Sequence, residues 1–235
     1  MSIAPSAVSA VSAASAVPVA SAVPPAARQA ADDRVFVPAT LDLGDVVLRP
    51  WQPGLEVRGG AAASLVALAA DPDIALWNPL RAGDRTQAEA TLERWATGWE
   101  NGTVACFAIL AAADAGLLGL VALRWTDRAD GLAMVGYSLL PAARGRGIAT
   151  RATRAVSRWG FATAAVRRLE LAHADGNRAS CRVAERCGFP LEGTLRASHR
   201  FGDGRYHDEH LHARLATDAD AGGEPEAGGG TGGAA

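Results

Sequence analysis

A strand-to-helix junction in the middle of the chain narrows its choice of folds more than any other segment. It reads Leu139-Leu140-Pro141-Ala142-Ala143-Arg144-Gly145-Arg146-Gly147-Ile148-Ala149-Thr150. Upstream, Leu132–Leu140 is apolar on both faces, the pattern of a central strand covered from two sides. Downstream, Ile148, Ala152, Ala155, Val156 and Trp159 recur at helical spacing, with Arg151, Arg154 and Arg158 opposite, which predicts a helix from Ile148 to about Thr163. A helix start carries unpaired N–H donors and a partial positive charge, so it attracts phosphate. Glycines let the backbone approach a ligand closely, and Arg144 and Arg146 would add charge-assisted contacts. The junction therefore reads as a pyrophosphate cradle, or else as a tight turn with solvated arginines. It is not a Rossmann fingerprint, because Thr150 stands where the third glycine or alanine belongs. A P-loop is excluded, because the chain has no lysine.

Around the junction, strands and helices alternate. Val46–Pro50 reads as a short strand ended by proline, followed by a helical stretch near Ala61–Ala70 and a loop over Asp71–Arg85. Residues 86–100 are helical, with Ala88, Leu92, Trp95 and Trp99 on one stripe. Val104–Leu110 and Leu117–Arg124 read as a hairpin. After the long helix come a strand at Arg168–His173 and a helix at about 178–187, with Asn177 as N-cap and Gly188 as stop. Two further strands are expected near 191–200 and 206–216. Hairpins at both ends favour an α+β layering over a doubly wound sheet.

Residues 1–33, rich in Ala, Ser, Val and Pro, read as a disordered leader. Residues 219–235 read as a flexible Gly/Ala tail. The folded unit is then 34–218, which is expected to fold without either tail. No basic residue precedes Arg28, so the leader lacks the charged start of a signal peptide, and no apolar run is long enough for a membrane helix. The formal charge of −2 offers no general attraction to nucleic acid or anionic lipid. Three cysteines without C-x-x-C spacing argue against a disulfide framework and against a zinc site. A soluble, cytoplasmic protein without nucleic-acid or membrane partners is expected.

The junction resembles the coenzyme-A signature of the GNAT acyltransferase superfamily, Arg/Gln-x-x-Gly-x-Gly/Ala: Arg144-Gly145-Arg146-Gly147-Ile148-Ala149 fits every fixed position. Gly136–Pro141 is similar to that family's central strand. Asn177-Arg178-Ala179-Ser180 and Cys187-Gly188-Phe189 match its later Asn-x-x-Ser and Gly-Phe landmarks. Val47-Leu48-Arg49-Pro50-Trp51 is similar to the opening strand of the branch containing ribosomal-protein N-terminal acetyltransferases. The resemblance implies a mixed, mostly antiparallel sheet with splayed parallel strands, flanked by helices. It implies acetyl-coenzyme A as co-substrate, lying between strands 132–140 and 168–173. Backbone groups of Leu139 and Leu140 would meet its pantetheine arm, and N–H groups of Arg144, Gly145, Arg146, Gly147, Ile148, Ala149 and Thr150 its pyrophosphate, with Asn177 nearby. A homodimer is a possible assembly by the same resemblance.

The implied reaction is direct attack of a primary amine on the thioester. One group must then take a proton from the ammonium and another must stabilise the departing thiolate. Many relatives use a tyrosine four residues before the late glycine; Ala184 stands there. In the ribosomal-protein branch the serine serves instead, which points to Ser180, although a serine in a first helical turn also bonds backbone. Met134 replaces a glutamate common on the central strand. The remaining base candidates cluster at His199, Asp203, His207, Asp208 and Glu209. A histidine is the residue type suited to proton transfer near neutral pH, which points to His199, with deprotonation through water as the alternative. His210 and His212 share a strand face with His207 close by, but no cysteine or carboxylate completes a recognised ligand pattern, so no metal is expected. Trp95 and Trp99 read as core, and Trp77 as a wall of the acceptor pocket. The acceptor is a protein N-terminal α-amine or a small-molecule amine. A coenzyme-A-binding module without catalysis is the alternative.

Overall fold

The computed structural model describes residues 34–218, so the expectations for 1–33 and 219–235 lie outside the described residues. Strands β1 (Leu41–Asp42) and β2 (Val46–Pro50) lead into helices α1 (Ala61–Ala69), α2 (Pro72–Trp77) and α3 (Arg85–Glu100). Then follow β3 (Val104–Ala111), β4 (Leu117–Asp127), β5 (Leu132–Leu139), α4 (Ile148–Thr163), β6 (Arg168–Ala174), α5 (Arg178–Arg186), β7 (Leu191–Arg200) and β8 (Tyr206–Leu215). The eight strands form one sheet in the order β1-β2-β3-β4-β5-β6-β8-β7. All neighbours are antiparallel except β5 and β6. This is the expected α+β architecture.

β3 shows why the sheet needs helices on both faces. Ala105, Phe107 and Ile109 enter one core with Val121, Leu123, Val135 and the α4 stripe of Ile148, Ala152, Val156 and Trp159. The alternate residues Cys106, Ala108 and Leu110 enter a second core with Trp51, Leu92 and Trp95. Leu65, Leu68, Ile74, Ala88 and Leu120 continue the packing beneath α1–α3. A period of two apolar residues per strand step on both faces gives a sheet buried on both sides. Trp99 is 2 % exposed and meets Phe107 edge-on at 4.9 Å, so it is the core residue the α3 stripe implies.

The segment expected to be a loop over Asp71–Arg85 instead contains α2. Asp71 caps it by accepting a hydrogen bond from the Ile74 N–H at 3.0 Å, and Pro72 opens its first turn. The dense Pro, Asp and Asn residues are helix punctuation here as well as turn formers. The brief β1 was also not anticipated. Among the described residues no helix is long and apolar enough to cross a membrane.

Candidate active site

β5 and β6 are paired only at Leu132–Arg168, Ala133–Leu169 and Met134–Glu170. Beyond Met134 they diverge, while β5 stays bonded to β4 as far as Leu139 and β6 to β8 as far as Ala174. The divergence opens a cavity of about 1020 Å³ between the two strands. Its floor is the unpaired edge of β5, and its far end is the start of α4.

At that start Gly147 is the N-cap residue, in the left-handed region at φ 71°. A glycine takes that conformation at little cost, whereas an L side chain would be strained. No side chain caps the helix, and a Cβ at Gly147 would meet nothing within 4 Å. The first-turn N–H groups therefore face open space lined by Gly145, Gly147, Ile148, Ala149 and Thr150. Such an open, uncapped helix N-terminus has the chemistry to receive an anion.

Arg144 has another task. Its Nη1 donates to Asp73 Oδ2 at 2.6 Å, its Nη2 to Asp71, and its Nε to the Leu139 carbonyl at 3.1 Å. Burial alone would raise the Asp71 pKa, but hydrogen bonds from Arg144 and from the Ile74 N–H outweigh it and hold the carboxyl below its ordinary value. The guanidinium thus straps the junction to α2. Arg146 is exposed, lies 3.9 Å from Asp45 and does not line the cavity. Leu140 is also outside the lining. Its N–H donates to Leu118 O and its carbonyl accepts from the Ala143 N–H, both at 2.9 Å. Strand alternation therefore leaves the cleft edge to Tyr137 and Leu139, a departure from the expected Leu139–Leu140 pair.

The opposite wall carries cations that motif reading passed over. Arg178, Arg182 and Arg186 repeat at four-residue intervals along α5, and all three line the cavity. That spacing was a readable signal, because residues four apart share a helix face. Asn177 also lines the cavity, but its Oδ1 accepts the Ser180 N–H at 3.2 Å and caps α5.

Ser180 faces the same space, and Tyr137 Oη donates to its Oγ at 3.0 Å. Burial pushes the Tyr137 pKa up to about 12, with the Ser180 hydrogen bond opposing and the Cys187 thiol adding to the rise. The phenol therefore keeps its proton near neutrality. Although Ala184 stands where a tyrosine was sought, β5 brings Tyr137 to the cleft from 43 residues away. Similarly, Glu170 stands across the strand pair from Met134, lines the cavity and accepts from Arg168 Nε at 2.9 Å.

The β7–β8 hairpin closes the remaining side. His199 lines the cavity and packs edge-on against Phe201 at 5.2 Å. Glu209 also lines it and accepts from Ser198 Oγ. His207 instead pairs with Asp203 at 2.8 Å, and Asp208 accepts the Ala197 N–H. Trp77 meets Phe201 at 5.9 Å and His207 at 6.1 Å, joining α2 to the hairpin.

Residues 45–190, more than half of the chain, match the family described as acetyltransferase (GNAT) domain. The chain belongs to the GNAT acetyltransferase family. GNAT acetyltransferases draw their acetyl group from acetyl-coenzyme A. This member is 33 % identical over 95 residues to YdaF of Bacillus subtilis (strain 168), provisionally named a ribosomal N-acetyltransferase. The match covers 40 % of this chain and 51 % of YdaF, so the chain spans about half the length of that curated relative. Its fold is shared with the ribosomal-protein-S5-alanine acetyltransferase of Vibrio fischeri, at TM-score 0.67 and 19 % identity over 77 % of this chain and 98 % of that one. It is also shared with Mycobacterium smegmatis RimJ in complex with CoA-disulfide, at TM-score 0.66 and 24 % identity, covering 80 % and 92 %.

Proposed function

We propose that this GNAT protein transfers the acetyl group of acetyl-coenzyme A to a primary amine, a protein N-terminal α-amine or a small-molecule amine, by direct attack. The observation carrying this reading is the open strand edge of β5, which leads to an uncapped helix N-terminus. An edge that no neighbouring strand pairs beyond Met134 suits the amide-bearing pantetheine arm, and a bare helix start suits its pyrophosphate. Tyr137 and Leu139 would pair with the arm. N–H groups from Gly145 to Thr150 would hold the pyrophosphate, and Arg178, Arg182 and Arg186 would draw in the remaining negative charge. When bound, the co-substrate supplies an activated acyl group.

The protein's own part is to position the amine, take its proton and stabilise the departing sulfur. Ser180 and Tyr137 suit the last task. A phenol of pKa about 12 is a poorer acid than an ordinary thiol at about 8.5. Full proton transfer from the phenol to the thiolate would therefore be unfavourable. The pair serves better as a hydrogen-bond donor to developing negative charge. His199 is assigned the ammonium proton, since it lines the cavity beside the hairpin that walls the acceptor side.

The test is calorimetric titration of acetyl-coenzyme A into the wild type and into Gly147→Trp. Binding that disappears in a folded variant supports the cradle, and thiol release on adding primary amines supports transfer. Absence of binding to the wild type would refute the reading. Binding without turnover on any amine would leave a coenzyme-A-binding module.

A further inference from the structure

Where α5 meets the sheet, three histidines and a cysteine converge, and one of them, His173, also lines the active-site cavity. His173 lies on β6, His210 and His212 on β8, and Cys181 in the first turn of α5. One potential ligand atom from each lies within 4.8 Å of all the others. The rings are in mutual contact: His173 and His212 stack at 5.3 Å, and His173 meets His210 edge-on at 5.5 Å.

The tautomers of two of these rings are determined by their partners. His173 Nδ1 lies 2.8 Å from the Ala174 carbonyl and His212 Nδ1 lies 3.0 Å from the Phe189 carbonyl. A carbonyl only accepts, so each Nδ1 carries a proton, and in the neutral ring each Nε2 presents a lone pair. His173 is 5 % exposed and His212 1 %. Their Nε2 atoms, with Nδ1 of His210, are buried without a hydrogen-bond partner among the described residues. Buried unpartnered polar atoms are uncommon and each one destabilises a fold. Three in one cluster, beside a thiol, call for a shared partner.

We propose that His173, His210, His212 and Cys181 form a binding site for a divalent transition-metal ion of the Zn²⁺ class. Three imidazoles and a thiolate are a donor set such ions favour. The backbone bonds to Nδ1 of His173 and His212 are the outer-shell support that orients metal-binding histidines. A tetrahedral Zn²⁺ holds its ligand atoms roughly 3.3–3.7 Å apart, so binding draws the cluster inward by about an ångström. A recess of about 380 Å³ lined by Cys181, Glu185, Phe189, Leu191, His210 and His212 gives the ion a route in. Four protein ligands make the site structural, fastening the first turn of α5 to the sheet. Chain spacing concealed it, because Cys181 and His173 lie far from the late histidines in sequence.

Untagged full-length protein, stripped with a chelator and dialysed free of it, is titrated with Zn²⁺ against a chromogenic chelator and separately with Co²⁺ under reducing conditions. The expected result is one tightly bound ion per chain, a higher melting temperature, and a Co²⁺ spectrum with a thiolate charge-transfer band and tetrahedral d–d bands. Cys181→Ser should abolish that band and weaken Zn²⁺ binding by about tenfold or more. His210→Gln should also weaken it, whereas His207→Gln, outside the cluster, should not. Cys181 and His210 are only half-buried, and circular dichroism verifies that both variants fold. Lack of stoichiometric uptake by the wild type, or uptake unchanged in Cys181→Ser and His210→Gln, would overturn the site. The readout needs no coenzyme A.

Discussion

The Tyr137–Ser180 bond joins a strand edge to a helix start, and each side chain gains its role from the other. Ser180 is a nominee on its motif alone, yet a serine there could equally bond back to its own helix. In the structure the Tyr137 phenol donates to the Ser180 hydroxyl, leaving the hydroxyl proton available to the cleft. Tyr137→Phe and Ser180→Ala are each expected to lower kcat by about 10²-fold, with the affinity for acetyl-coenzyme A changed little. Because the two act as a unit, the double variant should fall hardly below the worse single one. Steady-state kinetics with a competent amine, alongside calorimetry, checks both statements. The pairing could not be read from the chain, since 43 residues separate the partners. The Arg178, Arg182 and Arg186 stripe could have been, since helical spacing alone puts them on one face.

Element by element, the long periodic segments were legible and the short capped one was not. Helix α4 runs from Ile148 to Thr163 as its stripe predicts, and the β3–β4 hairpin follows from two apolar runs with a turn between. Helix α2 has only six residues, too few for a period to show, and its existence rests on the Asp71 cap. It also anchors the β7–β8 hairpin. The Gly202 N–H at the β7–β8 turn donates to Leu76 O at 2.9 Å, and a Cβ on Gly202 would lie 1.8 Å from the Ala75 carbonyl oxygen. Gly202→Ala should therefore push the hairpin off α2. The expected outcome is a raised KM for the amine with an unchanged Kd for acetyl-coenzyme A, and a stability loss of about 1–3 kcal/mol by thermal melting.

For the molecule as a whole, the Arg144 strap couples α2 to the β5–α4 junction and makes stability depend on pH. The Asp71 pKa is depressed in the folded state. Its contribution is thus fully present above the unfolded value of about 3.9 and is lost as pH falls through the lower folded value. Asp71→Asn keeps a good N-cap but loses the ion pair. Melting temperatures across pH 7 to 3 should show the wild type ahead of Asp71→Asn at neutrality, with the gap closing below about pH 4. A gap that stays constant with pH would mean that the strap carries no charge-dependent stability.

The sequence by itself determined the layering, the strand-turn-helix junction and the family. These depend on local periodicity and on glycines and caps close together in the chain. Tertiary structure decided which polar groups face the cleft. Arg144 turned to Asp71 and Asp73, Leu140 bonded to β4 and the turn, and Tyr137 came to Ser180. It also decided that Cys181 and His173 join His210 and His212. Side-chain direction on a splayed strand, and contacts between elements far apart in sequence, are fixed only when the sheet closes and each buried polar atom must find a partner.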